Sequence, residues 1–201
     1  MTSFLLASAL SAAITFSTTI ENAGPQTLPS APAMSSADRE AVVTLAKFSR
    51  CVVNREPKAT TAFLNRGQYA VPSNPEVRTL VGRNKFCLRG GRMEFNQVIF
   101  AGNAAEVLYR QAGFSFANHR SILTGAEPLE RGSCVAARHP REVDLLFSTP
   151  PASKEEAAAL NAMMDTIEAC MPTVLKSAVM RRAVIAADVF PLVATYLKAP
   201  H

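Results

Sequence analysis

CVVNREP at residues 51–57 returns as CVAARHP at residues 134–140, and this recurrence decides how the chain is divided. Pro57 and Pro140 are each placed to open a short helix, because a proline in a first turn loses no hydrogen bond. The first of these helices carries Ala62, Phe63 and Leu64 and the second Leu145, Leu146 and Phe147. NRGQYAVPSNP and STPPA stop them. Ser73 with Glu76, and Ser153 with Glu156, have the three-residue spacing of a capping box that starts a further helix. At an ungapped offset of 83 residues, Leu160 falls on Val77, Met163 on Leu80, Met164 on Val81 and Cys170 on Cys87. The similarity therefore extends well beyond the heptapeptide.

Outside these segments the helical pattern continues. A first helix begins at Ser36 to Asp38, carries Val42, Val43, Leu45 and Val52, and stops before Pro57. Val77, Leu80, Val81 and Cys87 share one face of a third helix ended by Gly90 and Gly91. A fourth runs from Met93 to Gln111. In the second half, Ser153 starts a helix that runs to Cys170, and a last helix from Ser177 to Leu197 should kink near Pro191. Matching its Tyr196 to Tyr109 requires a gap. The expected fold is all-α, two tandem related units of about four helices each, at 38–112 and 131–201, joined by a less regular connection at 113–130.

Composition agrees. The 201 residues are 48% hydrophobic and 18% charged, without tryptophan and rich in alanine, which suits helices packed closely on small side chains. Residues 1–23 hold an uncharged apolar run, Phe4 to Ile20, suited to an export signal cleaved near Ala23. A retained anchor is the alternative, and Lys or Arg is absent before the run. Residues 24–37, rich in Pro, Ser and Ala, read as a flexible linker.

The four cysteines fall in two pairs of equal spacing, Cys51 with Cys87 and Cys134 with Cys170. Each first cysteine lies near the end of a first helix and each second near the end of a third, so an up-down-up arrangement brings each pair to one side. Two disulfides within the units are expected, in an oxidising compartment.

The net charge is +5. Residues 51–110 carry nine Lys or Arg against four Glu, whereas residues 134–198 balance at seven against seven. Arg78, Arg83, Lys85, Arg89 and Arg92 form a run without an intervening acid. Such a run is either a solvated face or an anion-binding surface. Metal binding is not expected, since His119, His139 and His201 lie more than a helical turn apart. GFSFA at 113–117 lacks the final glycine of a nucleophile turn, and phosphate-loop and dinucleotide fingerprints are absent. No cofactor is expected. Glu155 and Glu156 suit the first turn of a helix, and Arg55 and Arg138 suit bonding to the last free carbonyls of one.

The two heptapeptides, the paired cysteine spacings and the terminal tyrosines resemble exported proteobacterial helical-repeat proteins over residues 40–198. The resemblance implies no activity and carries over no catalytic residue. Three functions stay open. The leading expectation is a non-enzymatic binding or envelope-associated module, with a groove beside Gly113–Glu130 suited to a small apolar ligand or a peptide helix. The second is an anionic lipid or nucleic-acid surface bound through residues 78–92. The third is an enzyme of unfamiliar type.

Overall fold

Short polar side chains start the helices. In this computed structural model, which describes residues 34–70, 74–88, 94–124, 131–172 and 177–197, the Ser35 hydroxyl accepts from the Asp38 N–H and opens α1 (Ser36–Arg55). Pro57 opens α2 (Pro57–Asn65). A 3-10 turn at Gln68–Ala70 follows, and then the Asn74 side chain accepts from the Glu76 N–H at the head of α3 (Pro75–Arg83). After a second 3-10 turn, Lys85–Cys87, Asn96 caps α4 (Gln97–Gln111) by accepting from the Val98 N–H. The connection holds one short helix, α5 (Arg120–Thr124). The second half continues with α6 (Arg131–Arg138), α7 (Pro140–Ser148), α8 (Lys154–Ala162), α9 (Met164–Cys170) and α10 (Ala178–Val193). Ser153 and Ser177 cap α8 and α10. Each such cap satisfies an otherwise orphaned N–H, an effect of about 1 kcal/mol.

The fold is all-α, with a first and a second helical half each stapled by a disulfide. Cys51 bonds Cys87 and Cys134 bonds Cys170, with Cα atoms 5.8 Å apart in both. These bridges agree with a non-cytoplasmic, oxidising location. Among the described residues no helix is long and apolar enough to cross a membrane; the apolar run 4–20 and the linker up to residue 33 lie outside them.

Several boundaries differ from expectation. The third helix stops at Arg83 because the Asn84 amide bonds back to the Leu80 carbonyl and the chain turns through Lys85–Cys87. Its cap is Asn74; Ser73, Gly90 and Gly91 lie outside the described residues. The fourth helix starts at Gln97 because Asn96 supplies the cap. The helix from Ser153 is broken at Met163, whose φ of -109° and ψ of 6° separate α8 from α9. α10 ends at Val193, two residues after Pro191, and the chain turns through 194–197. Counted from the caps Asn96 and Ser177, Tyr109 falls level with Phe190 and Gly102 with Ala183, so the match of Tyr109 to Tyr196 is not the one the helix starts support.

α4 and α10 cross at the centre, with α1 packed on α4 and α6 on α10. Glycine permits two close approaches. A Cβ at Gly102 would fall onto the Ala183 backbone, and one at Gly132 would lie 2.6 Å from the Ile185 Cα. Alanine at Gly102 must separate α4 from α10, since the obstructing atoms are main chain. Gly102→Ala is therefore expected to destabilise by about 3 kcal/mol, read as a lower urea midpoint, while Gly82→Ala, at a position open to solvent, should change it little.

Candidate functional site

The sequence places many ionisable groups, and the structure separates those paired inside the fold from those left at the surface. Arg182 on α10 is 2% exposed and lies among Glu106 of α4 and Glu156 of α8, at 1% and 2%. Its Nε and Nη2 each donate to a Glu106 oxygen at 2.7 Å, Nη1 donates to Glu156 Oε1 at 3.2 Å, and Nη2 also reaches the Thr149 carbonyl at 3.0 Å. Burial pushes the Glu106 carboxyl up, and the Arg182 and Arg110 guanidiniums offset only part of this, so it stays raised. Burial lowers Arg182, but the two carboxylates more than offset this and raise it. Both Glu106 oxygens accept from the one guanidinium. The cluster ties the α7–α8 corner to the central helix pair; its donors and acceptors face one another. Glu156, expected in a capping box with Ser153 and beside the helix dipole, donates its N–H to the Ser153 hydroxyl and also turns its carboxylate inward to Arg182, whereas Glu155 stays exposed with its carboxyl lowered by its own backbone N–H and the Ser153 hydroxyl.

Two further carboxylates are likewise engaged. Asp144 accepts from the Ser115 hydroxyl and from the Phe116 and Ala117 N–H groups, which fixes the loop after α4. Ser115 is thus a donor to a carboxylate, and the His119 ring approaches the Ser115 carbonyl, not its hydroxyl. GFSFA is a loop anchor without the geometry of an activated nucleophile. Asp188 accepts from the Tyr69 hydroxyl at 2.5 Å and from the Gly132 N–H. Burial, then the Asp188 charge, pushes the Tyr69 phenol upward, so it stays a donor. Tyr109, also raised by burial, donates to the Ala186 carbonyl at 2.6 Å. Among the described residues no group of three His, Cys, Asp or Glu is placed to hold a metal ion; His201 lies outside them.

The described part of the connection contributes Phe116 and Leu123 to the core, and Phe114, Phe116, Tyr109, Phe147 and Phe190 pack ring against ring there. A surface opening among the described residues lies elsewhere, between α2 and α3, with a volume of about 270 Å³. Ala59, Ala62, Phe63 and Leu80 give it apolar walls. Its rim carries two ion pairs, Arg66 Nε to Glu76 Oε2 at 2.8 Å and Arg83 Nη1 to Glu56 Oε2 at 3.9 Å. Glu56 is further held by the Asn84 amide at 2.7 Å. Arg83 has a side chain 67% exposed, and among the described residues its ion pair is this long one, which leaves guanidinium donors for a further acceptor.

Next to the Glu56–Arg83 end stands Phe86, 54% exposed, with the Arg55 guanidinium 3.9 Å above its ring. Arg55 therefore stacks on an aromatic face where helix-end capping was expected; the backbone N–H of Glu56 meets the Val52 carbonyl instead. Of the basic run, Arg83 and Lys85 are exposed, and Arg83 lines the opening. Arg78 is exposed on α3, and Arg89 and Arg92 lie outside the described residues. The structure brings Arg83 to the cleft and leaves the others of the described run on its flank.

Burial keeps the two halves in register here, with Val77, Leu80 and Asn84 buried level with Leu160, Met163 and Ile167. In that register the cleft residues change character. Ala59 and Ala62 face Glu142 and Leu145; the pair Glu56 and Arg83 becomes His139 and Thr166, whose ring nitrogen and hydroxyl meet at 2.8 Å. Lys85 and Phe86 become Glu168 and Ala169. The apolar walls were missed in the sequence, although the offset of 83 already shows alanines set against Glu142 and Leu145. No protein-family model, curated protein or solved structure matches the chain.

Proposed function

We propose that the protein is an exported, non-enzymatic binding module, a duplicated helical unit whose first copy recognises a ligand in the α2–α3 cleft. One observation carries the proposal: the apolar cleft and its basic flank occupy the stretch where the two halves keep the same burial pattern but differ in chemistry. The fold needs Leu80 and Met163 alike as core; it does not need Ala62 in one half and Leu145 in the other. The engagement of Glu106, Glu156, Asp144 and Asp188 by protein donors supports a binding role over catalysis. The disulfides and the apolar leader support export to a periplasmic or secreted location.

A pocket of this size accepts one large apolar side chain or a similar small group. Ala62→Leu, which copies the other half, is expected to fill the cleft without reaching the core. Native mass spectrometry of protein isolated from the periplasm checks this: wild type should retain a bound species that Ala62→Leu lacks. Wild type free of any bound species, or an equal load on both proteins, would overturn the proposal.

A further inference from the structure

The rim and flank of the cleft identify the chemistry of its ligand. Resting on the cleft as the binding site, we infer that the partner is an acidic polypeptide segment that inserts one apolar side chain between α2 and α3 and lays carboxylates along Arg83 and Lys85. The apolar contacts come from Ala62, Phe63 and Leu80. The charge comes from Arg83, only loosely paired with Glu56 at 3.9 Å, and from exposed Lys85. Carboxylates meet guanidinium and ammonium donors favourably, and of the two rim glutamates Glu76 is held by Arg66 at 2.8 Å while Glu56 accepts from the Asn84 amide at 2.7 Å. The second half, with Thr166 and Glu168 at these positions, would repel the same segment.

A membrane fits less well. Phe86 is the protruding apolar side chain of this face, and one of its ring faces is covered by the Arg55 guanidinium, whereas interfacial helices insert a broad apolar stripe. A recessed cleft beside cations instead matches a peptide with one apolar anchor and acidic neighbours.

The test uses the full exported chain and a fluorescein-labelled ten-residue peptide with one leucine followed by three glutamates. Companion peptides carry glycine for the leucine or glutamines for the glutamates, and vesicles containing phosphatidylglycerol test the lipid. Fluorescence anisotropy should show binding by the first peptide alone, weakened about tenfold between low and physiological salt. Ala62→Leu should abolish it, and the double variant Arg83→Glu with Lys85→Glu should weaken it at least about tenfold by charge reversal at an interface rim. Circular dichroism confirms that each variant is folded. Binding lost in Ala62→Leu but indifferent to salt, to the glutamines and to charge reversal would overturn the acidic-partner inference while leaving the cleft intact. Binding unchanged by Ala62→Leu would overturn both. Absence of peptide binding, or binding to vesicles alone, would overturn the inference.

Discussion

Arg182→Ala is expected to destabilise the protein by about 3–5 kcal/mol, because removing one partner leaves buried charges uncompensated. Glu106 and Glu156 would keep their burial and lose the guanidinium that serves both, and the Thr149 carbonyl would lose a donor. For a chain of this length that corresponds to a fall in Tm of roughly 10 °C or more. Arg182→Lys should recover only part of the loss, since an ammonium cannot make the paired bonds to both Glu106 oxygens. The triple exchange Arg182→Met, Glu106→Leu, Glu156→Leu should approach wild type, as apolar replacement of a buried ion cluster is often tolerated. Thermal unfolding followed by circular dichroism, with disulfides intact, gives all three values. A single variant as stable as wild type would show that the cluster contributes nothing to the fold.

The second large effect concerns the disulfides. Each closes a sequence separation of 36 residues, for which constraint of the unfolded chain stabilises by about 4 kcal/mol. Cys51→Ala with Cys87→Ala, or Cys134→Ala with Cys170→Ala, should each lower the urea midpoint correspondingly. Removing all four sulfurs should approach the entire net stability of an ordinary domain, about 5–15 kcal/mol. The two pairs should differ in binding. The first anchors the turn Lys85–Cys87 and with it Phe86 and Lys85, so its loss should weaken the acidic peptide; loss of the second should not. Equal binding losses from both pairs would contradict a site confined to the first unit.

Apolar periodicity and the equal 36-residue cysteine spacings made the helices and both disulfides legible, because both patterns stand in the sequence itself. Helix ends were less so. Asn74 competes with Ser73 as the cap of α3, and Asn96 starts α4 later than the expected start at Met93, choices that local pattern does not make. Arg55 was assigned to helix-end carbonyls, yet Phe86, remote in sequence, offers it a ring. Glu156 and Arg182 meet across 26 residues and Glu106 and Arg182 across 76, separations that local pattern does not encode. The cleft follows the same rule. Its cation Arg83 was visible as part of a charge run, whereas its walls combine Ala59 and Ala62 with Phe63 and Leu80, which read as ordinary helix-face residues until α2 and α3 are placed side by side.

The central claim is that recognition belongs to the first unit's α2–α3 cleft. Nuclear magnetic resonance titration of the labelled protein with the leucine-anchored acidic peptide tests it most directly. Amide shifts are predicted to change around Ala59, Ala62, Thr79 and Arg83, the residues that border the opening, while Glu142, Leu145, Ala162 and Thr166 at the matching positions stay still. Changes centred on α7 and α8, or spread evenly over both units, would contradict the account.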